Sequence, residues 1–370
     1  MRLIRNLLDD LCVTFPAWLV GRLLVGLSWL VANFITDNFQ SSSEIVPRVN
    51  EGLMAWDGNW YRSLLVGGYD SVPLEGVRFF PGFVWLGRLF EVFLPGGPAV
   101  ALVAVANLGA LLAGIAIRRL VLAETTDYSM ANRAVWLLAC FPSSFVLVWG
   151  YAEGPFLAAS ITAVLALRYR YWGIAALLAV ASSLLRPTGV LLIIPIAIAI
   201  ISDGRIKSKV DALRKSAAVL GAPLGSAIFL WWASVHFDDL FVPYTIQREF
   251  RGSFVDPFSR LLTGLGDLFS SDSFDDGFHI LFAVGFFCIA IQVLRSWPSR
   301  YGVYAVANLL VVVSCENLNS LERYGLGTFP LILGLSGIMN RPQLNWVLPV
   351  ISAGGMVALS VLAWLGIYVP

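Results

Sequence analysis

The sequence predicts an all-α integral membrane protein with about eleven transmembrane helices and two large non-cytoplasmic loops. Three observations carry that prediction. Hydrophobic residues make up 58% of the 370 residues and charged residues 13%, with a mean hydropathy of +0.77; a soluble domain carries about twice that charged share. Apolar runs recur from Cys12 to Val369, and no polar stretch between them is long enough to fold alone. Residues 1–370 therefore read as a single transmembrane domain. Finally, the basic residues gather in alternate connections, as they do in a chain that crosses a bilayer repeatedly.

Met1–Asp10 has no short apolar core followed by a small-residue cleavage site, so it reads as a retained cytoplasmic stub. The expected spans are 11–36, 99–117, 133–150, 153–167, 172–185, 187–202, 216–236, 277–294, 301–315, 323–339 and 344–369. With the N-terminus inside, the inner connections hold 15 of the 25 Lys and Arg residues against 6 acids. The outer side holds 9 basic residues and 18 acids, and Arg22 falls within the first span. The faces come out near +9 and −9, which satisfies the positive-inside rule.

Phe79–Leu94 is apolar but short, and it contains Arg88 and Glu91. It reads as interfacial or re-entrant, with a full crossing as the alternative. The outer loops are 37–78, followed by that segment at 79–94, and 237–276. The inner loop 203–216 carries all three lysines and reads as a cytoplasmic anchor.

Composition also excludes several classes. No basic tract suggests nucleic acid, and no cofactor motif is present. The four cysteines lie in or beside apolar spans without a C-x-x-C pair, and only His236 and His279 offer imidazole. Neither a disulfide framework nor a metal site is expected. No internal repeat is evident, which argues against a transporter built from inverted halves.

Function then rests on the few polar residues at the membrane surface. Trp56-Asp57-Gly58-Asn59-Trp60-Tyr61-Arg62 sets a carboxylate among aromatics. Asp57 reads either as an N-cap of the following helix or as a general base. Trp56, Trp60 and Tyr61, with Arg62, suit a sugar ring and its hydroxyls, and the aromatics equally suit an interfacial belt. Glu153, in Gly150-Tyr151-Ala152-Glu153, reads as a helix cap or a site acid. Arg186-Pro187-Thr188-Gly189 interrupts an apolar stretch, because Pro removes a backbone donor; Arg186 there suits a lipid phosphate or simple snorkelling. Arg323 and Tyr324 open the tenth span. Gln247, Arg248 and Arg251 stand among Phe250, Phe254 and Phe258, a mixture suited to headgroup or sugar recognition as well as to a solvated loop.

Read together, these stretches resemble the PIG-V-type mannosyltransferases, the GPI mannosyltransferase II family, within the GT-C class of polytopic glycosyltransferases. The likeness is carried in order by Trp56-Asp57-Gly58 with Tyr61 and Gly68-Tyr69, by Phe79-Phe80-Pro81, and by Phe141-Pro142-Ser143-Ser144-Phe145 with Tyr151-Ala152-Glu153. Arg186-Pro187-Thr188-Gly189, Gln247, and Arg323-Tyr324 with Phe329-Pro330 complete it. Two departures concern the acceptor: Ala55 stands where the family often has His, and Ala152 where it often has Ser or Thr.

The resemblance implies a GT-C-like helical bundle with Asp57 as the acidic residue of the first outer loop and candidate base. It implies a polyprenyl- or dolichyl-phosphate mannose donor and a glycolipid or other membrane-proximal acceptor. The chain has no DxD pair, as suits a lipid-phosphate donor. A transporter or flippase of a lipid-linked substrate, or a non-catalytic glycosyltransferase subunit, stands as the alternative. Against transport, the acids crowd the outer loops beside aromatics, whereas transport sites lie near the bilayer midplane. Arg outnumbers Lys by 22 to 3 and no N-x-S/T acceptor occurs. Both fit a bacterial plasma membrane better than an endoplasmic reticulum, with the site on the non-cytoplasmic face.

Overall fold

The computed structural model describes residues 2–39, 45–204, 206–269, 274–339 and 347–370, and side chains are not described for 2–6, 267 and 274–276. Outer-loop residues 40–44 and 270–273, inner-side Arg205 and Arg341, and the start of the last expected span therefore lie outside the described residues. Within these limits the protein is all-helical, and the only strand-like feature is an isolated bridge between Phe254 and Cys315.

The helices, in chain order, are α1 (Arg2–Phe39), α2 (Asp57–Gly67), α3 (Pro81–Glu91), α4 (Gly97–Thr125), α5 (Tyr128–Cys140), α6 (Glu153–Arg168), α7 (Trp172–Leu185) and α8 (Ile193–Asp203). They continue with α9 (Lys209–Phe237), α10 (Val242–Arg251), α11 (Pro257–Asp267), α12 (Phe274–Ser296), α13 (Ser299–Val313), α14 (Leu321–Gly327), α15 (Pro330–Ile338) and α16 (Val347–Trp364).

Among the described residues, five stretches are helices long and apolar enough to cross a membrane: Leu7–Phe39, Gly97–Thr125, Lys209–Phe237, Gly277–Ser296 and Val347–Trp364. Each contains or overlaps an expected span. The other six expected spans fall on shorter helices, and for three of these the cause is local. Residues 133–150 are not one helix: α5 stops at Cys140 because Pro142 drives Phe141 into extended backbone (φ −58°, ψ 149°). Residues 323–339 break at Thr328 and Phe329, ahead of Pro330. After Leu185, Arg186 is extended (φ −150°, ψ 146°) and Pro187–Leu192 forms a 3-10 turn before α8 begins.

The connections are shorter and more structured than the sequence suggests. The expected N-terminal stub is helical from Arg2 and continuous with α1. The inner loop 203–216 gives way at Lys209 to α9, whose first turn is capped by the Ser208 hydroxyl accepting the Asp211 N–H (3.1 Å). The outer loop 237–276 contains α10 and α11, and 37–78 contains α2 and three 3-10 turns. Segment 79–94 forms α3, an 11-residue helix only about 16 Å long and too short to cross.

Contacts group the chain into two compact units. Unit 1 comprises Met1–Ser71, Phe83–Ile161 and Leu335–Pro370; unit 2 comprises Val72–Gly82 and Thr162–Gly334. In unit 1, α1 packs on α4, α5 and α16. Two of the charged residues of α1 are answered within the unit. Asp10 is clamped by Arg118 and by Arg119 (Nε–Oδ2 2.5 Å). Arg22 donates from Nε to Asn107 Oδ1 (2.8 Å) and lies over the Trp18 ring (4.2 Å). Gly109 lets α4 meet the start of α6, since a Cβ there would lie 2.6 Å from the Gly154 carbonyl carbon. In unit 2, α7 and α9 form the most extensive pair. Their seam is made of small residues: a Cβ on Gly221 would sit 2.6 Å from the Ala176 carbonyl oxygen.

Candidate active site

In unit 1 the chain reverses at Trp56 to start α2. Trp56 adopts φ 58° and ψ −119°, a backbone state that a bulky residue holds only when its surroundings force it. Those surroundings are visible. The Trp56 N–H donates to Glu51 Oε2 (3.3 Å), its indole N–H donates to the Ala363 carbonyl (2.9 Å), and the Arg48 guanidinium lies 4.8 Å from its ring centre. Glu51 is itself fixed by Arg48 (2.7 Å) and by the Asn59 amide (2.6 Å).

Trp56 occupies the N-cap position without a side-chain cap bond, so Asp57 is the first helical residue rather than the cap. Its backbone N–H donates to the Tyr151 hydroxyl (3.2 Å), which in turn donates to the Ala55 carbonyl (3.4 Å). A carboxylate at this end of a helix is favoured by the helix dipole. Asp57 is half-buried.

Tyr151 is fully buried and reaches this turn because the preceding loop is pinned. Arg22 donates to the Leu147 carbonyl (3.1 Å) and Asn107 to the Val148 carbonyl (2.9 Å). The Gly150 N–H donates to the Leu53 carbonyl (2.8 Å), and a Cβ at Gly150 would lie 2.6 Å from Met54 Sδ. Glu153 is buried in the first turn of α6. The Tyr61 ring packs edge-on against Phe83 (4.8 Å), Trp60 is half-buried and Arg62 is exposed.

In unit 2 the cations converge. Around the Tyr324 ring lie the guanidinium carbons of Arg251 (4.5 Å), Arg186 (5.1 Å) and Arg323 (5.9 Å). Arg186 and Arg323 are both buried. Ser320, at φ 66°, precedes α14 and is another strained non-glycine beside site residues. Next to Arg323, the fully buried Glu322 carboxylate faces His279 Nδ1 at 2.9 and 3.1 Å. The same Arg251 guanidinium is anchored by donating from Nη2 to the Asn319 carbonyl (2.8 Å).

Gln247 is half-buried on α10, whereas Arg248 is exposed. The Ser253 hydroxyl and N–H hold the Glu316 carboxyl below its ordinary range, with Arg248 adding to the effect. Phe80 of the Phe-Phe-Pro stretch packs on Phe229 (4.7 Å), and Arg78 lies against Phe250 (4.1 Å).

Among candidate residues, Trp56, Asp57, Trp60, Tyr61 and Glu153 belong to unit 1, and Arg186, Arg323 and Tyr324 meet in unit 2. Sequence reasoning missed Glu51, and it named Arg251 without pairing it with Arg186 and Arg323 at Tyr324. Glu51 carries no local signal; Arg251 stands out only as one arginine among the loop aromatics. Among the described residues no group of three or more His, Cys, Asp or Glu is placed to hold a metal.

No protein-family model and no curated protein matches the chain. Among solved structures it is similar to ArnT from Cupriavidus metallidurans bound to undecaprenyl phosphate. The identity is 12%, the TM-score 0.54, and the match covers 90% of this chain and 62% of that one. The fold is GT-C-like. At that identity the likeness is one of fold. The oligosaccharyltransferase of Archaeoglobus fulgidus also matches. The form with Zn and sulfate gives 12% identity, 91% and 53% coverage and a TM-score of 0.46. The form with an inhibitory peptide and a dolichol-phosphate gives 11%, 94% and 56%, and 0.45. The chain spans 53–62% of the length of the chains in these three structures.

Proposed function

We propose that this chain is an inverting glycosyltransferase of the PIG-V type, moving mannose from a polyprenyl-phosphate donor to a glycolipid or similar acceptor on the non-cytoplasmic face. The observation that carries the reading is the forced turn at Trp56. A tryptophan held at φ 58° by three separate contacts is a costly device, and strain of this kind gathers at functional sites. Here it sets the carboxylate of Asp57 at a helix start. The similarity to ArnT, described bound to undecaprenyl phosphate, supports a lipid-linked donor.

In the proposed reaction the acceptor hydroxyl oxygen attacks the mannose anomeric carbon from the face opposite the phosphate. Its proton passes to Asp57, the bond from carbon to phosphate oxygen breaks, and the electron pair leaves with the phosphate. One displacement inverts the centre, so a β-linked donor gives an α-mannoside. A phosphate leaving group needs little protonation, and cations suffice to stabilise it. Arg186, Arg251 and Arg323 gather around Tyr324, a concentration of positive charge suited to an anion. In this scheme Trp60, Tyr61, Arg62, Glu153, Gln247 and Arg248 contact sugars or headgroups. The outward acidic bias of the loops supports a non-cytoplasmic site, and the Arg-rich composition supports a bacterial plasma membrane.

The test is transfer from a synthetic polyprenyl-phosphate mannose by the purified protein and by Asp57→Asn, which keeps size but removes basicity. Loss of about 10²–10⁴-fold in rate is expected for a general base. Near-normal turnover by a folded Asp57→Asn protein, or activity with a nucleotide sugar alone, overturns the reading.

A further inference from the structure

Helix α11 lies in a stretch that reads from sequence as an aqueous outer loop, yet it carries an apolar stripe turned outward. Phe258, Leu262 and Leu265 follow one another at intervals of four and three residues, which places them on one side of α11, and Phe269 stands in the turn directly after it. They are 72%, 71%, 41% and 92% exposed. The helix is well made, with Pro257 at its first position and the Asp256 carboxylate accepting the Ser259 N–H (2.8 Å). At 11 residues it is about 16 Å long and cannot span a bilayer.

The opposite side of α11 fixes its depth. Gly264 sits against Ile280 so closely that a Cβ would collide with it. Leu261 packs on the buried cluster of Ala283, Val312, Val313 and Leu321. Ile280 and Ala283 belong to the apolar stretch Gly277–Ser296, which is long enough to cross a membrane. They lie about 5 Å and 9 Å along the helix from Gly277. Arg260 is buried and donates to the Glu316 carbonyl (3.2 Å), so it points away from the stripe. A helix docked on the first two turns of a membrane-crossing stretch is at the level of the headgroup and acyl boundary. Four large apolar side chains exposed at that level meet lipid.

We propose that α11 is an interfacial membrane helix that seats the whole strap 242–269 on the outer leaflet of the bilayer. Its occupant is lipid, because its other face is already committed to α12 at bilayer depth. The strap is also tied to the 314–319 turn. The Val255 N–H donates to the Ser314 carbonyl (3.3 Å), and the Asn317 N–H donates to the Arg251 carbonyl (2.9 Å). Lipid seating of α11 therefore restrains the segment that presents Arg251 to Tyr324. The inference does not depend on the chemistry proposed above, since it concerns only where α11 lies.

The experiment is site-directed spin labelling of the full chain lacking its four native cysteines, in phosphatidylcholine–phosphatidylglycerol vesicles. Nitroxides are placed singly at Phe258, Leu262 and Leu265, with Leu220 on the exposed side of α9 as the lipid reference and Lys207 as the aqueous one. Collision rates with oxygen and with a neutral nickel chelate are compared. At the stripe, oxygen should exceed the chelate several-fold, approaching the Leu220 value. Each position reads the same stripe, so loss of one variant to misfolding leaves the others decisive. Chelate rates at the Lys207 level would overturn the proposal in favour of an aqueous loop. Low collision rates with both, accompanied by spectral broadening that dilution with unlabelled protein removes, would overturn it in favour of a second copy.

Discussion

The hydroxyl of Tyr151 lies 3.2 Å from the backbone nitrogen of Asp57 and accepts its N–H. One phenol thus joins the Tyr-x-Glu stretch before α6 to the Trp-Asp turn before α2. The same oxygen donates to the Ala55 carbonyl, so it closes both sides of the strained Trp56 linkage.

Tyr151→Phe should therefore loosen that turn without emptying the core. Tyr151 is fully buried, and leaving its two partners unanswered should cost about 1–3 kcal/mol. Thermal unfolding in detergent measures the loss. If Asp57 is the base, transfer should fall as well, by less than for Asp57→Asn.

Arg186 and Arg323 should govern donor affinity more than acceptor affinity. In Arg186→Ala and Arg323→Ala, the donor KM should rise while the acceptor KM holds. Lysine should rescue only partly, because it lacks the bidentate fork that arginine offers a phosphate. Separate titrations of lipid donor and acceptor decide this, and an acceptor-only effect removes the residue from the phosphate role.

Gly109→Ala should destabilise unit 1 by about 1–3 kcal/mol, the usual range for forcing extra volume into a packed seam. The new methyl would press on the backbone of Gly154 and Pro155, where no side chain can rotate aside. The melting temperature should fall, and Glu153 should shift with its helix.

Asp203 provides a pH test. Its carboxyl lies below the ordinary value of 3.8, chiefly through a hydrogen bond from Lys215 and further through Arg170. A depressed carboxylate contributes stability that is fully present above its unfolded pKa and is lost as pH falls through the folded one. Wild-type stability from this group should thus be flat from pH 8 to 5. Asp203→Asn should melt lower than wild type at pH 7, and the gap should close below about pH 4.

The orientation can be read with single cysteines at Ser71, Thr245 and Ser208, all exposed, in a cysteine-free background. An impermeant maleimide added outside should label the first two and should reach Ser208 only after permeabilisation. The reverse pattern would invert the charge-based topology.

By itself the sequence determined the membrane class, the order of the apolar segments, the break at Arg186-Pro187 and the shortness of 79–94. These are local matters. Hydrocarbon thickness sets a length that can be counted along the chain, and proline ends a helix wherever it falls. The same rule acts at Pro142 and Pro330, where continuous apolarity predicts spans that the backbone interrupts. Only the tertiary structure decided that Glu51 and Tyr151 hold the turn at Asp57, that Arg251 joins Arg186 and Arg323 around Tyr324, and that α11 packs along α12. Asp57 and Tyr151 stand 94 residues apart. No periodicity encodes such a pairing, because it arises when helices pack and buried polar groups must find partners wherever the fold supplies them.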